Sequence, residues 1–296
     1  MSSFWSWWVI IITVGNIAAC YWLVQWATKP HTGEAPTGDV TGHKWDDNLE
    51  EFNNPLPRWW LWLFYITIVF GLAYIVLYPG AGNFAGTLGW TSTGQYKTEI
   101  ERADAKYNPI FANYAKQNVE DLAKDAEAVK VGQRLFLNYC AVCHGSTATG
   151  AVGFPNLSDN DWLYGGSADA IKTSILDGRT GAMPPWEAAL GAQGLDEMTQ
   201  YVLSLSGRKH DAQQAAAGKT KFETMCVACH GMDGTGNHAM GAPNLTDNNW
   251  LYGASPGVIR QTIAKGRTGV MPAHRDFLGE DKVHVLAAYI YSLSAQ

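Results

Sequence analysis

The stretch GQRLFLNYCAVCHG (132–145) returns as GKTKFETMCVACHG (218–231), 86 positions later. Both copies centre on C-x-x-C-H, at Cys140, Cys143 and His144 and at Cys226, Cys229 and His230. Working outward, DWLYGG (161–166) matches NWLYGA (249–254), DGRTGAMPP (177–185) matches KGRTGVMPA (265–273), and YVLSLS (201–206) matches YIYSLS (289–294). The offset in these later blocks is 88, so the second copy has gained two loop residues. Self-similarity of this length predicts two copies of one small domain, 128–208 and 209–296. In each, a short helix leads into the cysteine motif and Gly-, Pro- and Asn-rich loops follow. An apolar-periodic helix closes the copy, at 194–206 and at 280–294. Strand-like alternation is lacking, so the fold class is all-α. Each copy is about 80 residues with few aliphatic side chains, too little to build a core easily without a large cofactor.

C-x-x-C-H is the attachment signature of a c-type haem. Two thiols three positions apart can each add to one vinyl group, and the adjacent imidazole then faces the iron. Two competing readings are weaker. One zinc shared by both CxxC pairs would have to join sites 86 residues apart, each carrying its own His. Two CxxC disulfides would leave the histidines unexplained. The reading is therefore two covalently bound haem c groups, one per motif.

Met183 and Met271 are the expected sixth ligands, each in G-R-T-G-x-M-P ahead of the closing helix. The repeated loop setting favours ligation over the core filling that is ordinary for Met. Met225 directly precedes a haem cysteine and is a poor competitor. Met240 and His274 rank lower, lacking counterparts in the first copy, where Trp186 aligns with His274. Spacing does not tell whether each Met serves its own repeat or the other; within-repeat ligation is the simpler assumption. His/Met ligation raises the reduction potential and leaves no open coordination position, which favours electron transfer over substrate chemistry. No catalytic residue is expected. Arg179 and Arg267 are candidates to pair with haem propionates, with solvated loop arginines as the alternative. Trp162, Tyr164, Trp250 and Tyr252 are candidates to pack on the porphyrin rim or in an ordinary core.

Ahead of the repeats lie two long apolar runs. Residues 4–27 and 59–78 contain 24 and 20 residues, the first without a formal charge and the second without Asp, Glu, Lys or Arg. Both are long enough for transmembrane helices. Trp residues cluster at the ends of the first and the start of the second, as at a membrane interface. The first run lacks the basic n-region and small-residue cleavage site of a signal peptide, so it reads as a retained helix. The chain then divides into transmembrane helix 1–27, cytoplasmic loop 28–58, transmembrane helix 59–78, and a linker with a charged helical segment at 79–127. Pro109 is expected to break that segment. Lys29, Lys44 and Arg58 all lie between the two runs, which places 28–58 in the cytoplasm and both termini outside. Haem c assembly on the outer side of the bacterial cytoplasmic membrane demands the same orientation. Asn16, Cys20 and Gln25 in the first run are candidates to face a partner helix.

The 296 residues carry 21 Lys and Arg against 27 Asp and Glu, a formal charge of -6. That excludes a basic nucleic-acid binder. A 47% hydrophobic share excludes a disordered chain. Five cysteines exclude a fully paired disulfide framework within one chain, and Cys20 is the odd one.

With these residues in hand, the chain resembles the diheme cytochrome c subunit (subunit III, the FixP/CcoP family) of cbb3-type cytochrome c oxidases. The specific features are NNPLPRWW (53–60) opening the second apolar run and Tyr78-Pro79-Gly80 closing it. The resemblance covers nearly the whole chain, with the run at 4–27 an extra helix found in some members. It implies transmembrane helices followed by two tandem class I cytochrome c-like domains, in the bacterial inner membrane with the haems on the periplasmic side. It implies a relay subunit of a proton-pumping haem–copper oxidase. Electrons enter from a soluble or membrane cytochrome c and leave towards a monohaem cytochrome subunit. From there they reach the catalytic subunit, which holds haem b and copper and reduces oxygen. A self-standing membrane-anchored shuttle, or the cytochrome subunit of a periplasmic dehydrogenase, is the alternative.

Overall fold

The computed structural model describes residues 1–294 and is mostly helical. The chain separates into two compact units, Met1–Ala103 and Asp104–Gln296.

The first unit begins with α1 (Ser3–Ala27). A hairpin follows, β1 (Val40–Trp45) with β2 (Leu49–Phe52), in which Lys44 faces Glu50 and their side chains pair at 2.8 Å. Helix α2 (Arg58–Leu77) starts just after Pro57, which cannot donate the backbone bond a longer helix would need. Both helices are long and apolar enough to cross a membrane. Their large side chains, such as Trp59, Val69 and Phe70, point outward rather than into a protein core. Gln25 Nε2 donates to Tyr65 Oη at 2.7 Å, so one polar group of α1 meets its partner on α2. Asn16 instead donates back to the Ile12 carbonyl of its own helix, and Cys20 is exposed.

Helix α3 (Ser92–Tyr114) continues through Pro109, where a break was expected. Pro109 lies on an exposed helix, where water can satisfy the carbonyl that loses its backbone partner. The short α4 (Val119–Leu122) follows, capped by Asn118, whose side chain accepts from Asp121 N at 2.7 Å.

The remaining elements come in matched pairs. Helix α5 (Ala126–Tyr139) runs into α6 (Ala141–His144); α7 (Ala168–Asp177), β3 (Arg179–Met183) and α8 (Glu187–Leu205) complete the first set. The second set is α9 (Ala212–Met225), α10 (Val227–His230), α11 (Pro256–Lys265), β4 (Arg267–Met271), α12 (Arg275–Leu278) and α13 (Glu280–Ser294). Helix α8 is kinked at Gly191 (φ 61°), and Gly279 (φ 77°) separates α12 from α13 at the matching place. Start signals are equally paired. Asp125 and Asp211 accept backbone N–H groups at the heads of α5 and α9, and Ser167 and Ser255 do so for α7 and α11.

The packing does not follow the repeat boundaries expected at 128–208 and 209–296. One core joins α5 and α7 to α13, with Phe136, Ile171, Ile175, Val285 and Leu286 inside it. The other joins α9 and α11 to α8, with Phe222, Ile259, Ile263, Leu195 and Met198 inside. Each repeat's closing helix therefore seals the other repeat's cysteine-bearing half. Gly132 of α5 and Gly218 of α9 make the close crossings. A Cβ on Gly132 would lie 2.6 Å from Tyr289 Cβ and 2.7 Å from the Val285 carbonyl; one on Gly218 would lie 2.2 Å from the Glu197 carbonyl. Phe136 and Tyr289 rings sit 5.5 Å apart, and Tyr201 and Phe222 rings 5.1 Å apart. Burying either phenylalanine contributes roughly 1.5–3 kcal/mol.

The expectation of an all-α fold needs correcting as well. Besides the hairpin, β3 and β4 pair antiparallel about Gly181 and Gly269, with Arg179 opposite Met271 and Met183 opposite Arg267. Neither strand has a partner within its own repeat, so no local alternation marked it.

Candidate haem-binding sites

Each C-x-x-C-H motif sits at a break between two helices. Cys140 caps α5 and starts α6, which ends at Gly145 with φ 75°. Cys226 does the same between α9 and α10, ending at Gly231 with φ 78°. His144 and His230 are buried, at 8% and 9% exposure. His144 Nδ1 lies 3.0 Å from the Pro155 carbonyl and His230 Nδ1 3.1 Å from the Pro243 carbonyl. A carbonyl only accepts, so each Nδ1 carries the proton and each Nε2 presents its lone pair outward. This is how a metal-ligating histidine is usually held. Burial keeps both imidazoles below their ordinary pKa, against the opposing pull of the proline carbonyls. As free thiols, Cys140 and Cys226 are pushed up to about 11, mainly by burial and then by the neighbouring cysteine of each pair.

Met183 and Met271 enter from the paired strands. Met271 packs in the core that also contacts Cys140, Ala141, Leu157 and Trp162. Met183 packs against the core that also contacts Cys226, Val227, Trp186 and Trp250. Each methionine thus packs on the core that carries the other repeat's cysteine motif. His274, aligned with Trp186, lies near His144 of the first motif, where its charge helps depress that ring. It belongs to the second repeat and sits at the first repeat's motif. Met240 is exposed.

The two loop arginines are not solvated loosely. Arg179 donates to Ser174 Oγ at 2.9 Å and lies over the Tyr164 ring at 4.7 Å. Arg267 donates to Thr262 Oγ1 at 2.8 Å and lies over the Tyr252 ring at 4.2 Å. Trp162 and Trp250 belong to the two cores.

Three features were not read from the sequence. The first is the pair of proline carbonyls, flagged by the repeated P-N-L of residues 155–157 and 243–245. Asn156 and Asn244 brace those loops, accepting from the backbone N–H and hydroxyl of Ser158 and Thr246. The second is the contact between loops of the two repeats, where Asn249 donates to Asp161 and Gly153 N donates to the Leu251 carbonyl. The third is a pair of buried donors without acceptors, Trp250 Nε1 and Arg208 Nε, with Arg208 lying 5.7 Å from the Trp250 ring. Nothing in the sequence pattern marked Arg208.

These observations test whether a haem c fits. The donor set offers a paired thiol and an oriented imidazole at each motif, and a methionine packs on the same core as each. The unsatisfied Trp250 and Arg208 donors suit an anionic carboxylate of the kind haem bears. The residues fit the group.

Fold and site together define a c-type cytochrome joined to membrane-length helices. Residues 127–202 and 213–290 match the family described as cytochrome c oxidase, cbb3-type, subunit III. Residues 37–85 match the N-terminal domain of cytochrome oxidase-cbb3, FixP. A cbb3-type cytochrome c oxidase subunit CcoP of Rubrivivax gelatinosus is 48% identical over 294 residues, covering 99% of this chain and 96% of that protein. The CcoP of Cereibacter sphaeroides is 39% identical, covering 90% and 97%. The FixP of Bradyrhizobium diazoefficiens is 40% identical, covering 86% and 94%. The chain belongs to the family of cbb3-type cytochrome c oxidase subunit III. Its role is that of a cytochrome c electron-transfer subunit of such an oxidase.

Proposed function

We propose that the chain carries two covalent haem c groups and relays electrons from a cytochrome c donor towards a catalytic subunit holding haem b and copper. A monohaem cytochrome subunit of the same complex is the intermediate acceptor. When bound, each haem supplies a one-electron carrier whose potential is raised by thioether ligation and whose iron has no open position. The observation that carries the reading is the pair of buried imidazoles, His144 and His230, each locked by a proline carbonyl beside its own CxxC.

Cys140 and Cys143 would tether one haem, and Cys226 and Cys229 the other. His144 and His230 would hold the irons through their imidazoles, and Met183 and Met271 would supply thioethers. Trp250 and Arg208 would offer their buried donors to a carboxylate of the second haem. Arg179 and Arg267, each pinned by a hydroxyl and a tyrosine face, hold positive charge near the haem edges. The two apolar helices cross the bacterial inner membrane. Residues 28–58 lie in the cytoplasm and the haem domains in the periplasm. The positions of Lys29, Lys44 and Arg58 support this orientation.

Replacing Cys140 and Cys143 together tests the attachment. One covalent haem is expected to remain, held by Cys226 and Cys229; retention of two would contradict the assignment.

A further inference from the structure

We infer that the hairpin of β1 and β2 is a docking surface for a Lys- and Arg-rich cytoplasmic loop of the neighbouring membrane subunit, the one that holds haem b and copper. This rests on the reading of the chain as an oxidase subunit with residues 28–58 in the cytoplasm. It goes beyond that reading by assigning the contact to named side chains of the hairpin.

Both ends of the ladder carry an apolar pair. Val40 faces Phe52 at the base, and Trp45 faces Leu49 beside the tip. All four side chains are exposed, Trp45, Leu49 and Phe52 at 57%, 62% and 64%. Side chains alternate along a strand, so Leu49 and Glu51 point to one face and Glu50 and Phe52 to the other. Lys44 pairs with Glu50, and Thr41 Oγ1 donates to Glu51 at 3.2 Å. Each face therefore offers an apolar pair beside a carboxylate. A two-stranded hairpin is marginal in water unless a further element packs on it. The apolar pairs are open in the chain alone, so their cover comes from another molecule.

Position and charge select that molecule. Five residues, including Pro55 and Pro57, join Phe52 to Arg58 at the head of α2. Such a link reaches at most about 22 Å, and its prolines stiffen it, so the hairpin stays close to the membrane surface. Gly38 N donates to the Asn53 carbonyl at 2.9 Å and Asn53 N to the Asp39 carbonyl at 2.8 Å, which extends the pairing down to the link. Residues 28–58 hold six acidic side chains, Glu34, Asp39, Asp46, Asp47, Glu50 and Glu51. Against them stand Lys29, Lys44 and Arg58, which leaves a net charge of -3. Asp46 and Asp47 form the tip in left-handed backbone, at φ 47° and 66°. An anionic lipid leaflet repels this surface. A second copy of the hairpin repels it too. Cytoplasmic loops of membrane proteins carry an excess of Lys and Arg. A loop of that kind pairs with the carboxylates while its apolar side chains cover Trp45 and Leu49.

The test uses the full chain in its own membranes, with the photoreactive p-benzoylphenylalanine in place of Trp45. Phe52 is the second probe position, should the Trp45 variant fail to accumulate. Irradiation and peptide mapping are expected to find the probe joined to a Lys- and Arg-rich cytoplasmic segment of the haem b and copper subunit. An adduct with lipid, with a second copy of the chain or with a different subunit overturns the docking assignment. So does the absence of any adduct in protein that accumulates. Asp46→Asn with Asp47→Asn removes two charges, and asparagine tolerates the left-handed tip. Added to the probe variant, this pair is expected to lower the adduct yield several-fold; an unchanged yield overturns the choice of a basic partner. Thr37→Cys checks the orientation separately. Its labelling by a membrane-impermeant maleimide is expected in inside-out vesicles and not in intact spheroplasts, with the parent chain as control. Labelling of spheroplasts overturns the cytoplasmic reading, whereas labelling from the cytoplasmic side without an adduct overturns the docking alone.

Discussion

Trp250 offers a polar group that the protein itself does not satisfy. Its indole N–H is buried with no acceptor, next to the equally unpartnered Nε of Arg208. An unpaired buried donor costs about 1–3 kcal/mol, so its retention points to an acceptor in the assembled protein. Trp250→Phe keeps the ring and deletes the donor. It is expected to lower the potential of the second haem and leave the first unchanged, because a propionate stripped of a donor favours the ferric iron. Redox titration of the variant reads this directly. Asp159 and Asp247 make a second residue-level case. Burial raises both carboxyls above their ordinary range, against the backbone N–H donors of Asp161 and Asn249 that lower them. A raised folded-state pKa means the folded form holds its proton more tightly. The stability this gives is full below the unfolded pKa of about 3.9 and is lost as pH rises through the folded value. Asp247→Asn keeps the accepting oxygen and removes the charge. Its melting temperature should rise at neutral pH and match the parent near pH ~3.

Among the elements, the crossings at Gly132 and Gly218 set opposite expectations against each other. Alanine for glycine in a helix interior is worth up to about 1 kcal/mol of helix propensity. Overpacking typically costs about 1–3 kcal/mol, and a Cβ at 2.2 Å from the Glu197 carbonyl has nowhere to go. Gly218→Ala should therefore destabilise, with loss of the low-spin spectrum of one haem on mild heating; a stabilised variant would mean α8 does not seal α9. The same elements show what could be read locally. C-x-x-C-H, the Asp and Ser caps and the apolar period of α13 are short-range signals, and they placed the helices and the cysteine sites. The partner of each closing helix was not readable. YVLSLS and YIYSLS carry nearly the same pattern, so each fits either repeat's groove, and the choice is made by the chain's route through β3 and β4. Those strands were missed for a related reason, since R-T-G-x-M has no strand partner until both copies are present. Pro109 does not end α3, because an exposed helix can carry one lost backbone bond.

Across the whole molecule, the crossed closing helices make each cysteine-bearing half depend on both repeats. A chain ending at residue 208 would keep Cys140, Cys143 and His144 yet lose Met271 and α13, which contributes Val283, Val285, Leu286 and Tyr289 to the first core. It is expected to retain at most a five-coordinate, high-spin haem, seen as rapid carbon monoxide binding once reduced. A low-spin His/Met spectrum from that fragment would show that residues 128–208 close on themselves. In the proposed relay, electrons enter from a cytochrome outside the complex and pass inward through this chain. The most direct test is haem and metal analysis of the complex purified gently in mild detergent, with oxygen uptake measured from reduced cytochrome c. Two covalent haems c on this chain, accompanied by haem b and copper and by oxygen uptake, are the predicted result. Two covalent haems c with neither haem b nor copper, or with a dehydrogenase in their place, would contradict the account.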